Sequence, residues 1–265
     1  MSNKTLNLRF MQLTWLDSNS WLIEIARKRI LIDPWLVGSL VFGNLDWLFK
    51  GIKSITYTID QPIDLIILSQ GLEDHTHIPT LTELDHNIPV VASPNAAKIV
   101  KELGYKQVTE LAHGQSYTLD NSITIKAVPG SPLGPQLTEN GYIITDLIEQ
   151  QKIYYEPHGY HSSTLTEEGK INVVITPIVG LSILHLVPIL KGEKTTLELC
   201  QTLKPQVILP TAGSGKVDYE GFLSSVIREE GTIAGFRQML AKYNLVTSVL
   251  TPQPGQTVQV TLASV

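Results

Sequence analysis

Apolar residues in this chain come in short runs, alternating or continuous, each closed by Asp, Gly, Pro or Asn. In the first half they read MQLTWL, SWLIEI, RILID, IDLIIL, IPVVAS, SYTL and SITIKAVP; in the second they read GYIITD, KIYYE, NVVITP and QVILP. Such runs predict β-strands, because a pleated strand turns successive side chains to opposite faces and turn residues end it. Helical spacing is rarer. Residues 94–103 (PNAAKIVKEL) place Ala97, Ile99, Val100 and Leu103 at helical intervals ahead of Gly104, which suits a C-terminal cap. Further helices are expected over 195–203 and over 222–242, the latter with Gly231 and Gly235 inside it. Strands outnumber helices and interleave with them, with no linker, heptad or long repeat, so one α/β domain over 1–265 is the economical organisation. An aromatic-rich insertion at 37–54 carries Phe42, Trp47 and Phe49 as candidates for exposure, and is expected to cap the fold or a subunit contact.

Composition narrows the class. A chain of 265 residues with 43% hydrophobic content supplies a real core. Its net charge of −5 and scattered Lys and Arg give no face for nucleic acid. The single cysteine, Cys200, excludes an intramolecular disulfide and fits a reducing compartment. MSNKTLNLRF has no apolar leader core, and no stretch approaches the roughly 20 apolar residues of a spanning helix. A cytoplasmic location with no membrane partner is the expectation.

The candidate chemistry lies at residues 68–77, LSQGLEDHTH, directly after the apolar run IDLIIL. A strand's carboxyl end can present ligands in a loop held by a rigid sheet, and Asp74, His75 and His77 are of ligating type. A second polar loop, EPHGYH, carries His158 and His161, so four of the seven histidines fall in two loops. For His86, His113 and His185, packing or surface exposure is the simpler account.

In order, TWLDSNSWLIEI, RILIDPWL, DLIILSQGLEDHTHIPTLTEL, IPVVASP, KIYYEPHG, VVITPIVG, KPQVILPTAG and the closing TPQPGQTVQV resemble the metallo-β-lactamase superfamily, within it the small lactonase-like hydrolases. The resemblance runs from about Met11 to the C-terminus. It implies a four-layer αββα sandwich: two mixed sheets face to face, helices outside, and a site at the edge where strand-end loops converge. It also implies a two-metal His-x-His-x-Asp-His motif, from which this chain departs. Gln70 and Leu72 replace two histidines, Ser131 and Pro132 stand where a third is expected, and Ala212 stands where the last is expected. His158 takes the place of the bridging aspartate, and Asp17-Ser18 that of a common Gly-His.

What remains by this alignment is one metal position held by Asp74, His75 and His158. Three protein ligands with an open fourth suit a catalytic divalent ion, zinc, ferrous iron or manganese. Asp74, His77 and His161 are the expected catalytic or proton-carrying groups, with the two histidines also able to replace the lost final ligand. Asp33, Gln70 and Glu73 are expected to support the site or line its rim. Two functions follow: a hydrolase of a small lactone or phosphoester-like substrate using at most one metal, or a catalytically inactive pseudo-enzyme that binds a metabolite or partner, with the metal then absent. The resemblance also allows a homo-oligomer.

Other motifs add little. Nothing cationic surrounds Cys200 in TTLELCQTL, so it reads as core. PTAGSGK lacks the first glycine of a phosphate loop and the Ser or Thr after Lys216, and no Gly-x-Ser-x-Gly elbow is present.

Overall fold

The computed structural model describes residues 11–134, 137–213 and 215–262; the expectation about residues 1–10 falls outside them. The first seven-stranded sheet runs Thr257–Val260, Met11–Trp15, Trp21–Ile25, Lys28–Ile32, Leu65–Leu68, Val90–Ala92, Val108–Glu110. The second runs Ser248–Val249, Val207–Leu209, Val173–Ile175, Lys152–Tyr155, Leu137–Asp146, Ile123–Leu133, Ser116–Leu119. Each is mixed, with antiparallel hairpins on one side and parallel strands on the other.

Strand alternation explains the layers. Leu13, Trp21, Ile23, Ile30, Ile32 and Ile67 turn one way and meet Ile125, Tyr142, Ile144, Ile153, Tyr155 and Ile175 of the other sheet. Their sequence neighbours turn outward. Leu22, Leu31 and Ile66 lie with residues of the helices Ile78–Glu83 and Pro94–Glu102, whereas Ile143, Tyr154, Val174 and Ile208 lie with those of Glu193–Leu203 and Ile233–Lys242. A fully buried aliphatic side chain is worth about 1.5–3 kcal/mol, so the seam between the sheets dominates stability. This is the αββα sandwich.

Two expectations need correction. Residues 222–242 are not one helix: Phe222–Val226 is helical, Ile227–Glu230 is a strand, and Ile233–Lys242 is helical again. Gly231 at φ +86° and the extended Thr232 break the helix, and Ile227–Glu230 pairs with Gly180–Ile183. Thr232 then caps the second helix, its hydroxyl accepting from the Gly235 amide at 2.9 Å.

The insertion also differs. Its strands Ser39–Val41 and Lys50–Lys53 pair with Val217–Glu220 into a small sheet around Trp35, Leu40 and Val217. Phe42 packs on Phe49 at 5.4 Å, and Phe49 on Tyr219 at 5.3 Å between ring centroids, so only Trp47 of the three aromatics is exposed. The terminal strand Thr257–Val260 pairs with Met11–Trp15, extending the first sheet. Among the described residues no helix is long and apolar enough to cross a membrane.

Candidate metal centre

Strand Leu65–Leu68 ends in a loop that ties itself into shape. The Thr76 hydroxyl donates to the Gln70 carbonyl at 2.5 Å, and the amides of His75 and Thr76 donate to the Leu72 carbonyl at 3.0 and 2.7 Å. This presents Asp74 and His75 together. His158 arrives from the other sheet, on the loop after Lys152–Tyr155. There the buried Glu156 carboxylate accepts the backbone amides of His158 (3.2 Å) and Tyr160 (2.7 Å), and the Lys191 amide donates to the His158 carbonyl at 2.8 Å.

Gly159 makes that packing feasible. It sits at φ +76°, and a Cβ there would lie 2.1 Å from the Lys191 carbonyl oxygen. Gly159→Ala is therefore expected to lower stability by about 3 kcal/mol, from left-handed strain plus a backbone collision, and to displace His158. Urea unfolding beside the parent protein checks it.

Asp74, His75 and His158 each offer a ligand atom within 4.8 Å of the others, the one such group of three or more acidic, His or Cys side chains among the described residues. His75 Nε2 is 3.1 Å from Asp74 Oδ2, and the two imidazoles are 4.9 Å apart between centroids. The opposite nitrogen of His75, Nδ1, lies 2.7 Å from Asp33 Oδ2. Asp33 is fully buried and also accepts from the Ser69 amide (2.7 Å), the Ser69 hydroxyl (2.5 Å) and the Tyr155 hydroxyl (2.6 Å). It braces the His75 ring from behind.

Burial alone would push the His75 pKa down, but Asp74 and Asp33 overcome it and raise it to about 10. Burial would likewise raise the Asp74 carboxyl, and the two imidazoles reverse this, holding it below its ordinary value. His158 is driven down to about 3 by burial and by His75, which keeps it a neutral imidazole with a lone pair to give. Burial lifts Glu156 to about 8 against the backbone donors that hold it.

These residues fit a divalent cation. Asp74 Oδ1 is buried with no hydrogen-bond partner, an uncompensated acceptor beside a second carboxylate oxygen and two imidazoles. An imidazole whose far nitrogen is anchored on a carboxylate is the usual outer arrangement of a histidine ligand.

Gln70 Nε2 lies 2.7 Å from the Ser131 hydroxyl and 2.9 Å from His158 Nδ1, so a polar chain links the two loops beside His158. Glu73 Oε1 accepts from the Gly43 amide at 2.9 Å and pins the aromatic insertion to the loop.

Two expected participants are not brought to this group. His77 caps helix Ile78–Glu83: Nδ1 meets the Thr80 hydroxyl at 3.0 Å, and Nε2 donates to the Ser39 carbonyl at 3.1 Å. His161 pairs with the hydroxyl of Tyr154, which packs on the outer face of the second sheet, at 3.2 Å and lines a separate cavity of about 580 Å³ beside helix Glu193–Leu203. The remaining histidines pack elsewhere, His86 stacked on Tyr105 and His185 exposed beside Glu230.

Three residues escaped sequence reasoning. Asn19 lies with Nδ2 at 3.1 Å from Asp74 Oδ2. The Tyr155 hydroxyl also donates to the Asn19 carbonyl at 3.0 Å, and Tyr219 sits against Ser18 in the field of Asp74 and Asp17, its phenol pushed well up chiefly by burial. No motif marks them, although the inward parity of Tyr155 was readable from its strand.

Residues 12–212 match the family model described as the beta-lactamase superfamily domain. A metal-dependent hydrolase from Brucella anthropi is 30% identical over 195 residues, covering 71% of this chain and 75% of the relative. A metallo hydrolase from the hyperthermophilic archaeon Ignicoccus hospitalis shares the fold with a TM-score of 0.67 at 16% identity, covering 95% of this chain and 99% of that one. The isothiocyanate hydrolase from Delia radicum gut bacteria gives 0.67 at 16% identity, with 94% and 98% covered. Since the family model spans most of the chain and joins both halves of the sandwich, the chain belongs to the metallo-β-lactamase superfamily.

Proposed function

We propose that this protein is a metal-dependent hydrolase of a small molecule, with Asp74, His75 and His158 holding a single divalent ion, zinc, ferrous iron or manganese. The observation that carries the reading is the convergence of those three ligand atoms within 4.8 Å, with Asp33 behind His75 and a buried oxygen of Asp74 left unpaired. A bound ion of this kind acidifies its water and polarises the scissile group. The protein's part is placement. Asp33 fixes the His75 ring, Glu156 fixes the loop carrying His158, and the Gln70–Ser131 pair supports a single-ion site. The neutral Tyr219 phenol adds a hydrogen-bond donor near the carboxylate. Lactones and phosphoesters are the substrates proposed, and the isothiocyanate hydrolase among the similar structures adds a third class to try.

Protein purified without added metal is expected to carry close to one equivalent of a divalent ion. Chelation should lower its melting temperature, because an ion at 100 times its Kd stabilises the folded state by about 2.7 kcal/mol. Turnover of a lactone, phosphodiester and isothiocyanate panel should fall on chelation and return with one equivalent. An ion-free protein whose melting ignores the chelator would support the pseudo-enzyme instead.

A further inference from the structure

We propose that Asn19 supplies a fourth ligand, its side-chain oxygen, to the ion held by Asp74, His75 and His158; this rests on reading the site as a metal centre. Asn19 is 2% exposed and follows a turn in which Asp17 (φ 76°) and Ser18 (φ 49°) are both left-handed. The turn is locked. The Leu16 amide donates to the Ser20 carbonyl at 2.8 Å, Asp17 Oδ1 accepts the Lys216 amide at 3.0 Å, and Tyr155 holds the Asn19 carbonyl. The side chain is thereby delivered to the ligand group from a third loop.

As placed, the amide nitrogen is 3.1 Å from Asp74 Oδ2 and 3.4 Å from His75 Nε2, while Oδ1 is buried without any partner. Nitrogen and oxygen of an amide exchange by a half-turn about the last side-chain bond and differ little in shape. The exchange sets an oxygen about where the nitrogen now lies, close to a carboxylate oxygen with no hydrogen between them. That contact is repulsive in an empty site and favourable around a cation.

The spacing suits one. Donor atoms 2.0–2.2 Å from a common ion are separated by about 3.0–3.5 Å, and the three separations among Asn19, Asp74 and His75 are 3.1, 3.1 and 3.4 Å.

The position also fits what the chain has lost. Ala212 stands where a last histidine is expected; its amide donates to the Ser18 carbonyl at 3.0 Å, and Ser18 bridges to Gly213. The turn carrying Asn19 thus lies directly against the segment that no longer offers a ligand.

Asn19→Asp and Asn19→Ala separate a ligand from a mere hydrogen-bond donor to Asp74. Aspartate keeps an oxygen for the ion but removes the donor and adds a like charge. Affinity is read by chelator competition with Zn²⁺ and Mn²⁺ on the full chain, with melting curves as the check on folding. If Asn19 is a ligand, Asn19→Ala weakens binding beyond the roughly 10–100-fold that loss of an outer-shell partner costs, and Asn19→Asp stays within about 10-fold of the parent. Should alanine fail to fold, the near-isosteric aspartate decides alone. Equal losses in both variants, with the parent binding normally, overturn this inference and leave the metal centre standing. A parent that binds no ion overturns both.

Discussion

His158→Ala is expected to leave the protein without a stoichiometric ion and without turnover. Asp74 and His75 are neighbours on one loop, and His158 is the sole member of the trio that comes from the second sheet. Its removal leaves a carboxylate and an imidazole that already satisfy each other at 3.1 Å, so affinity should fall by well over 100-fold. The fold itself should suffer less. Gln70 loses its His158 partner on one side but keeps Ser131, a cost of about 1–3 kcal/mol, within what a folded chain tolerates. Elemental analysis together with a urea midpoint separates the two effects. A full equivalent of ion retained by the variant would refute the assignment.

Asp33 should show the opposite balance, with stability struck hardest. Asp33→Ala removes a fully buried carboxylate that the Ser69 amide and hydroxyl, the Tyr155 hydroxyl and His75 Nδ1 all share, leaving only the weaker contacts of Tyr155 to the Asn19 carbonyl and of Ser69 to His75. Breaking one partner out of such a buried ionic network costs about 3–5 kcal/mol. Asp33→Asn keeps the shape but turns an NH₂ group toward one of these donors. It should fold, melt earlier, and hold its ion about 10–100-fold more weakly, because the His75 ring is no longer anchored by a charge. Denaturant titration of both variants, with chelator competition on the asparagine form, measures each part. An alanine variant as stable as the parent would mean that the four donors find other acceptors.

The scaffold was readable because strand parity repeats. IDLIIL, KIYYE and NVVITP announce a buried sheet wherever they occur, and the observed strands fall within those runs. The meeting of Asp74, His75 and His158 was readable because their neighbours resemble a motif, and the structure brings their ligand atoms within 4.8 Å. Asn19 was not, since an asparagine in a tight turn has a sufficient local explanation in its backbone. His77 and His161 misled for a related reason: spacing along the chain says nothing about which side of a sheet a loop residue falls on. Here a helix start claimed one and the outer face the other. The break at Gly231 needed knowledge of Gly180–Ile183, the strand with which Ile227–Glu230 pairs.

Because its ligands are split between the two sheets, the proposed ion is a clasp whose halves emerge from the ribosome at different times. A nascent chain that has just exposed Asp74 and His75 holds only half of the proposed site, because His158 follows with the second sheet. The proposed ion can therefore be gripped by all three ligands only once the second sheet has met the first.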